Sequence, residues 1–189
     1  MDLALEILAL VVALIGLLWF FVPIFSGIPW VPTDEERVRA ALRLADLCPG
    51  ELLYDLGSGD GRVLLVAGRD FGARSLGIEV SPLHCLLAQG RIRRARLGRQ
   101  AAIRWGSYYR SDLRPADVVY FYGHSKYVKK LKGYLAANLH EGARLVSIGV
   151  DFPGWQPEKV DKDKLIFVYR MLPSAGDVTS YLMQEALLG

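Results

Sequence analysis

The sequence predicts an α/β fold with a doubly wound, mostly parallel sheet, preceded by one N-terminal transmembrane helix. Three observations lead to this prediction. Short apolar runs alternate with helical segments after residue 33, a glycine-rich loop follows the first of those runs, and a long apolar segment opens the chain. Alternation of strands and helices is typical of parallel sheets that are covered by helices on both faces.

The apolar segment at the N-terminus predicts a membrane anchor. From Ile7 to Phe25 no residue is charged. About 20 helical residues span roughly 30 Å, which is the hydrocarbon thickness of a bilayer. We therefore expect residues 1–25 to form the anchor, residues 26–33 a linker, and residues 34–189 a single folded domain. A cleavable secretory signal is the alternative, but no basic segment precedes the run and no small-residue cleavage site follows it.

The charges predict which side of the membrane the domain occupies. Residues 1–30 contain no Lys or Arg, and all 23 basic residues follow them. By the positive-inside rule, the domain is expected on the cytoplasmic side or its equivalent, the mitochondrial matrix. The two cysteines, Cys48 and Cys85, fit a reducing compartment and exclude a disulfide scaffold. Neither lies at zinc-finger spacing from a second Cys or His, so no metal is expected.

An arginine-rich stretch lies between Pro82 and Ser111 and contains no acidic residue. Three interpretations remain open for it: a solvated helix face, attraction to anionic lipid, or contact with nucleic acid. No aromatic residues interleave the arginines to support the last. The basic residues are Arg91, Arg93, Arg94, Arg96, Arg99, Arg104 and Arg110.

The domain is predicted to alternate strands and helices. A capping box at Thr33-Asp-Glu-Glu36 starts the first helix, and Ser81-Pro82 starts another, with Leu83, Leu86 and Leu87 expected on its inner face. Predicted helices cover 34–47, 62–70, a segment from 82, and 126–139. Predicted strands cover 52–56, 75–80, 101–105, 117–122, 143–148, 165–171 and 178–183.

A glycine loop with acidic partners carries the chemistry. The loop Asp55-Leu-Gly-Ser-Gly-Asp-Gly61 follows the first strand, and its glycines let the backbone turn sharply and approach a ligand. Glu79 ends the next strand about 20 residues on, where a carboxylate can accept from both ribose hydroxyls. Together these features predict an adenosine-type ligand at the carboxyl edge of the sheet.

The spacing and charge of the loop select the ligand. A dinucleotide fingerprint would be G-x-G-x-x-G, but the pattern here is G-x-G-x-G and Arg62 stands at the place of the missing glycine. Asp55 and Asp60 would repel a pyrophosphate. The same two carboxylates suit a ligand that carries an ammonium and a sulfonium, which predicts S-adenosylmethionine.

With these motifs, the chain resembles class I S-adenosylmethionine-dependent methyltransferases, whose fold is a Rossmann-like seven-stranded sheet. More narrowly, it resembles a small membrane-anchored family of protein-lysine methyltransferases with bacterial, archaeal and mitochondrial members. The resemblance covers about residues 1–171. It rests on Val31-Pro-Thr33, Tyr54-Asp-Leu-Gly-Ser-Gly-Asp-Gly-Arg62, Leu76-Gly-Ile-Glu-Val80 and Phe152-Pro-Gly-Trp-Gln-Pro157.

The resemblance implies roles for individual residues. Glu79 would hold the ribose, and Ser107 and Tyr108 would cover the adenine, although many methyltransferases have Asp or Asn in place of Ser107. Thr33 would lie in a segment that folds over the cofactor, or would serve only as a helix cap. The methionine end would be held by Asp55, Gly57, Ser58, Gly59 and Asp60.

The methyl acceptor is expected at the end of the fourth strand, at Tyr120-Phe-Tyr-Gly-His124. The Asn/Asp-Pro-Pro-aromatic motif of DNA adenine methyltransferases is missing there, so no nucleic-acid partner is expected. Strand alternation puts Tyr120 and Tyr122 on one face and Phe121 on the other. We expect Tyr122 and Trp155 to line an aromatic lysine channel. His124 is either a proton relay or a surface residue at a helix start.

The leading prediction is an enzyme that methylates a lysine of a membrane or membrane-proximal protein, with protein and lipid bilayer as partners. Two alternatives stay open. The acceptor could be a lipid, a quinone or another small molecule, which would also explain an anchor. The chain could instead bind S-adenosylmethionine without catalysis, as a sensor or scaffold.

Overall fold

The computed structural model describes residues 3–25 and 34–171, with side chains from residues 3–17 and 34–171. Its helices are α1 (Leu3–Phe25), α2 (Glu35–Leu44), α3 (Arg62–Phe71), α4 (Pro82–Arg94) and α5 (Ser125–Asn138). Its strands are β1 (Leu52–Leu56), β2 (Arg74–Glu79), β3 (Ala101–Trp105), β4 (Val118–Tyr122), β5 (Arg144–Ile148), β6 (Lys159–Asp161) and β7 (Ile166–Arg170).

The seven strands form a single sheet in the order β3-β2-β1-β4-β5-β7-β6. The first five are parallel, and β7 runs antiparallel between β5 and β6. Strand order reverses between β1 and β4. The carboxyl ends of the strands at such a reversal are the place where doubly wound sheets bind ligands. The predicted α/β fold with a doubly wound, mostly parallel sheet is confirmed.

Two apolar cores cover the two faces of the sheet. Val38 and Leu42 of α2 pack with Tyr120 on one face. Leu131 and Leu135 of α5 pack with Phe121 on the other. The alternation predicted for β4 is therefore confirmed, and helices pack on both faces of the sheet, as in other parallel sheets.

Two sequence predictions need correction at the ends of the domain. β6 was not predicted, because three residues that are only half-buried or exposed give little apolar signal. It forms the antiparallel partner of β7. The strand predicted over residues 178–183 lies outside the described residues. The N-cap position of α2 is Asp34 rather than the predicted Thr33, which also lies outside the described residues.

The prediction for α4 is wrong about which face is buried. Leu83, Leu86 and Leu87 are 44%, 71% and 50% exposed, whereas Ala88 and Ile92 are buried. The reason is the close approach of the glycine loop, since a Cβ at Gly61 would lie 2.9 Å from the Cβ of Ala88. Only a small side chain fits that contact, so the leucines face outward.

The helix α1 coincides in extent with the predicted transmembrane helix. Within the described part of the chain, however, no helix is both long and apolar enough to qualify as a membrane span. The transmembrane prediction is therefore not confirmed.

Candidate active site

The glycine loop closes between β1 and α3 at the reversal point of the sheet. Gly57, Gly59 and Gly61 have φ values of 87°, 51° and 77°, a region that side chains other than glycine rarely adopt. The amides of Gly57 and Ser58 donate to the carbonyl of Ile78, at 2.9 and 3.2 Å. The loop is thus tied to β2 and shaped by its three glycines, as the sequence predicted.

The side chain of Ser58 points away from solvent. Ser58 is buried, and its Oγ has no hydrogen-bond partner within the described residues. A Cβ at Gly77 would lie 2.5 Å from that Oγ and 2.9 Å from a methyl of Leu64. Ser58 therefore packs toward β2, and a role in ligand binding would fall to its backbone.

Glu79 ties the loop to the start of α4. Its carboxylate is buried and accepts from the amide of Gly59 at 2.9 Å and from the amide of Ser81 at 2.8 Å. Each oxygen retains a free lone pair. Two backbone donors fix the orientation of the carboxylate, which leaves it able to accept from two further hydroxyls, as the ribose role requires.

Asp55 is a buried carboxyl beside two other acids. It lies on β1 opposite Gly77 of β2 and Tyr120 of β4, and it is 3% exposed. Burial, together with the charges of Glu79 and Asp60, raises the pKa of Asp55 well above its usual range. A cation placed among these acids would relieve the repulsion and favour the ionised form.

Asp60 is paired with two arginines. Arg62 donates to it through Nε at 3.0 Å and Nη2 at 2.7 Å, and Arg91 of α4 donates through Nη1 at 2.7 Å. Burial alone would raise the pKa of Asp60, but the hydrogen bonds and charges of Arg62 and Arg91 outweigh it and lower that pKa. Asp60 thus stays ionised, although its charge is largely compensated, unlike that of Asp55.

The segment after β3 lies at the same edge of the sheet. The amide of Gly106 donates to the carbonyl of Glu79 at 2.8 Å. Ser107 caps a short 3-10 helix, Tyr108–Arg110, by accepting from the amide of Tyr109 at 3.3 Å. Ser107 and Tyr108 are half-buried. They stand beside Glu79, in the neighbourhood where the resemblance put the adenine.

Tyr122 lies at the carboxyl end of β4 and is half-buried. It packs with the core beneath α2, and the guanidinium of Arg37 lies 5.9 Å from the centre of its ring. Arg37 also donates to the carbonyl of Lys164 at 2.9 Å through Nε. Through these two contacts, Arg37 of α2 connects the end of β4 to the turn between β6 and β7.

Trp155 packs on the opposite side. It is half-buried and stacks on Phe152 with ring centres 5.4 Å apart and planes 13° apart, within the core beneath α5. Lys132 lies 5.6 Å from its ring centre and donates to the carbonyl of Pro153. Tyr122 and Trp155 therefore pack against different apolar cores, and the lysine channel between them stays a prediction.

Some of the remaining predicted site residues lie together and others do not. The residues that lie together, at the carboxyl edge of the sheet, are Asp55, Gly57, Gly59, Asp60 and Glu79. His124 is exposed and accepts from the amide of Lys126 through Nδ1 at 3.3 Å, so it caps α5. Among the described residues, no group of three His, Cys, Asp or Glu side chains is placed to hold a metal.

Sequence reasoning missed the arginines of the site. In the sequence, Arg62 stands out as the residue that breaks the dinucleotide fingerprint and ends the Tyr54–Arg62 motif, and Arg91 as part of a basic stretch, but neither pattern predicts an ion pair with Asp60. The two-residue spacing between Asp60 and Arg62 could have indicated the first pair. Nothing in the sequence indicated that Arg91 reaches Asp60 across 31 residues.

The geometry fits S-adenosylmethionine. Among the described residues, no cation compensates the buried carboxyl of Asp55. Glu79 is oriented with free lone pairs, and a Cβ at Gly57 would meet nothing within 4 Å. A cationic sulfur nucleoside would supply the missing positive charge at Asp55 and the hydroxyl donors for Glu79. The residues that would hold it are therefore those at the carboxyl ends of β1, β2 and β3.

Comparison with known proteins supports the assignment of this site to S-adenosylmethionine. A family model described as the ANTKMT methyltransferase domain matches residues 55–159. A protein-lysine N-methyltransferase of Saccharolobus islandicus is 32% identical over 136 residues, which is 71% of this chain and 84% of that protein. The adenine nucleotide translocase lysine N-methyltransferase of mouse is 33% identical over 144 residues, 74% of this chain. The chain spans about 60% of the mouse protein's length.

A solved structure supports the same assignment. An RNA methyltransferase from Salinibacter ruber, in complex with S-adenosyl-L-homocysteine, superposes with a TM-score of 0.74 and 33% identity, and covers 76% of this chain and 95% of its own. The family model spans more than half of the chain and includes the glycine loop and Glu79. The chain belongs to the ANTKMT methyltransferase domain family and is an S-adenosylmethionine-dependent methyltransferase.

Proposed function

We propose that this enzyme transfers the methyl group of S-adenosylmethionine to the side-chain amine of a lysine in a protein. The observation that carries the proposal is the similarity to the archaeal protein-lysine N-methyltransferase, which extends over 84% of that relative. The acid-lined edge of the sheet supports the cofactor half of the reaction, and the aromatic end of β4 supports the acceptor half.

The residues at the edge would divide the work of binding. Glu79 would accept from the ribose, while Asp55 and the glycine loop would hold the cationic methionine end. Bound there, S-adenosylmethionine supplies an electrophilic methyl group on a sulfonium. Asp60 contributes less to charge complementarity than the sequence indicated, because Arg62 and Arg91 already compensate it.

An amine can attack only in its neutral form, so the acceptor site must lower the pKa of the incoming lysine. Partial burial among aromatic rings does this by disfavouring the charged ammonium. We assign this role to Tyr122, which is half-buried at the carboxyl end of β4. Arg37 lies over its ring, and a nearby positive charge also favours a neutral lysine.

We propose that Trp155 affects the acceptor only indirectly, by fixing the position of the loop after β5 in which it lies. Its ring stacks on Phe152, and its exposed side faces Lys132. Such contacts fix the position of the loop after β5. Whether this loop guides the substrate is tested by comparing Trp155 and Tyr122 variants.

We further propose that α1 anchors the enzyme to a membrane, with the domain on the cytoplasmic or matrix side and a membrane or membrane-proximal protein as substrate. Large apolar side chains on all sides of α1 are 43–70% exposed. An exposed apolar surface of this size is typical of a segment that contacts a membrane or another protein. Glu6 is the one charge from Leu3 to Phe25. Resistance of the full chain to alkaline extraction from membranes supports the anchor, and release into the supernatant contradicts it.

The test of the acceptor uses cofactor carrying a labelled methyl group. Purified full-length enzyme is incubated with a membrane fraction, which is then separated into protein, organic-soluble and RNA pools. Label in protein that mass spectrometry assigns to lysine supports the proposal. Label in the organic phase indicates a lipid or quinone acceptor, and label in no pool indicates a binding protein without catalysis.

A matched control is the Glu79→Gln variant, which keeps the size of the side chain but loses its charge. Because both oxygens of Glu79 are engaged, this variant should lose label in every pool. Label that persists unchanged in the variant would come from a contaminating activity.

RNA is a second candidate acceptor, because the similar Salinibacter ruber structure is described as an RNA methyltransferase. The arginine-rich stretch from Pro82 to Ser111 also gives this chain a basic surface. Label that is recovered in RNA and is removed by ribonuclease would favour this candidate over lysine.

A further inference from the structure

The exposed side of α4 carries a patch of large apolar side chains. Val80, Leu83, Leu86, Leu87 and Trp105 are 38%, 44%, 71%, 50% and 69% exposed. The indole of Trp105 donates to the carbonyl of Val80 at 2.9 Å, so its ring lies beside the start of α4. We call these five residues the α4 patch. Single exposed apolar residues are ordinary, but a contiguous group of this size marks a contact surface.

The same face of α4 becomes basic one turn further on. At 100° per residue, Leu83, Leu87 and Arg94 lie within 40° of one another around the helix. Arg91 and Arg93 flank them on either side. Arg93 and Arg94 are exposed, and neither forms an ion pair with a described residue. Because no acidic residue occurs from Pro82 to Ser111, the positive charge beside the patch is not balanced within that segment.

This arrangement combines two chemistries on one helix face. Leucines followed by a tryptophan favour the boundary between headgroups and acyl chains, where aromatic rings accumulate. Adjacent arginines favour anionic headgroups. Nucleic acid would use the arginines, but it offers no reason to expose three leucines on the same face.

We propose that the α4 patch and the arginines beside it dock the catalytic domain on the surface of an anionic lipid bilayer. This contact is separate from α1 and does not depend on which acceptor is methylated. Val80 directly follows Glu79, and Gly61 packs on Ala88 at the back of α4. Docking therefore places the cofactor edge of the sheet next to the lipid surface, where a membrane-embedded acceptor is within reach.

The test reads the environment of α4 itself, so that binding through α1 does not obscure it. In a full-length Cys48→Ser, Cys85→Ala background, an environment-sensitive fluorophore is attached at Leu86→Cys. A matched protein carries the fluorophore at Lys129→Cys, an exposed position on α5. Both are mixed with phosphatidylcholine vesicles that either contain or lack phosphatidylglycerol. Calorimetry with S-adenosyl-L-homocysteine confirms that each protein is folded.

We expect a blue shift and several-fold brighter emission at position 86 with phosphatidylglycerol vesicles, and no change at position 129. Replacing Arg93 and Arg94 with Glu should lower the ratio of docked to undocked α4 at least about thirtyfold, because each basic residue lost near the surface lowers it roughly fivefold and the new negative charges are repelled in addition.

Four results would overturn the proposal. They are no response at position 86, an equal response at position 129, an equal response on vesicles without phosphatidylglycerol, and a response to single-stranded RNA that exceeds the response to vesicles. A blue shift that appears without vesicles and grows with protein concentration would assign the patch to contact between two copies of this chain instead.

Discussion

The two halves of the sheet present different chemistry at the same edge. Beside β1 and β2, backbone amides and carboxylates are locked together, with Glu79 holding both Gly59 and Ser81. Beside β4 and β5, Tyr122 and Trp155 pack against separate apolar cores. The proposed cofactor half is a polar cradle of backbone amides and carboxylates, whereas the proposed acceptor half is apolar and is assembled from distant segments.

The largest effect is expected at the cradle. Glu79→Ala removes two buried hydrogen bonds within the protein and two predicted bonds to the ribose. At about 1.5–3 kcal/mol for each lost bond to a charged group, cofactor affinity should fall at least about a hundredfold. Isothermal titration with S-adenosylmethionine measures this. An affinity within a few-fold of the original enzyme would remove Glu79 from the site.

The second prediction separates the two aromatic residues of the acceptor half. Trp155→Ala deletes a stacked ring and should lower the free energy of unfolding by about 2–3 kcal/mol. This is less than the loss expected for a fully buried tryptophan, because Trp155 is only half-buried. Tyr122→Phe removes only a hydroxyl, so its effect on unfolding should stay below about 1 kcal/mol.

Activity is measured at saturating cofactor below the melting temperature. Because the proposed role of Tyr122 belongs to its ring, Tyr122→Ala is expected to lower the rate of methyl transfer about tenfold, while Tyr122→Phe and Trp155→Ala keep most of it. A Trp155→Ala enzyme that is fully folded but inactive would support the predicted lysine channel with Trp155 as a wall.

The third prediction concerns pH and the charge of Asp55. Its raised pKa means that the folded free protein keeps a proton that the unfolded chain loses near pH 4. The free energy of unfolding of the cofactor-free protein should therefore fall as pH rises from that point to the folded-state pKa, and then level off.

Cofactor affinity should change in the opposite direction. A cationic ligand favours ionised Asp55, so affinity should rise with pH over the same window, by at most about tenfold per unit for one proton. Asp55→Asn should flatten this dependence. Calorimetry in buffers of different ionisation enthalpy counts the proton released, and no proton release would show that Asp55 is already ionised in the free enzyme.

The smallest effect is expected for the two arginines that form ion pairs with Asp60. Arg91 is half-exposed and Arg62 remains in place, so Arg91→Gln should change cofactor affinity less than about fivefold, in line with exposed ion pairs. Titration at low and high salt measures the change. A loss as large as that of Glu79→Ala would mean that Arg91 contacts the ligand itself.

Much of the fold and of the cofactor site could be predicted because their signals are local. The glycine loop, Asp55 and Glu79 lie within 25 residues, and one β1–α3–β2 unit brings them together. β1 and β3 have their predicted bounds, because each is bracketed by turn residues.

The outward face of α4 could not be predicted in the same way. The spacing of its leucines looks like a buried stripe, but the contact between Gly61 and Ala88 decides the orientation. The Arg91–Asp60 pair and the separation of Tyr122 from Trp155 also depend on contacts that are distant in the sequence. Such contacts leave no periodic pattern.

Methyl transfer to lysine at the acidic cradle is tested most directly by mass spectrometry of lysines in membrane proteins. The proteins are incubated with S-adenosylmethionine and either the full-length enzyme or its Glu79→Gln variant. We expect one or more lysines to gain methyl groups with the enzyme and to remain unmodified with the variant. Methylation found only in lipid or RNA, or on the same lysines with both proteins, would contradict it.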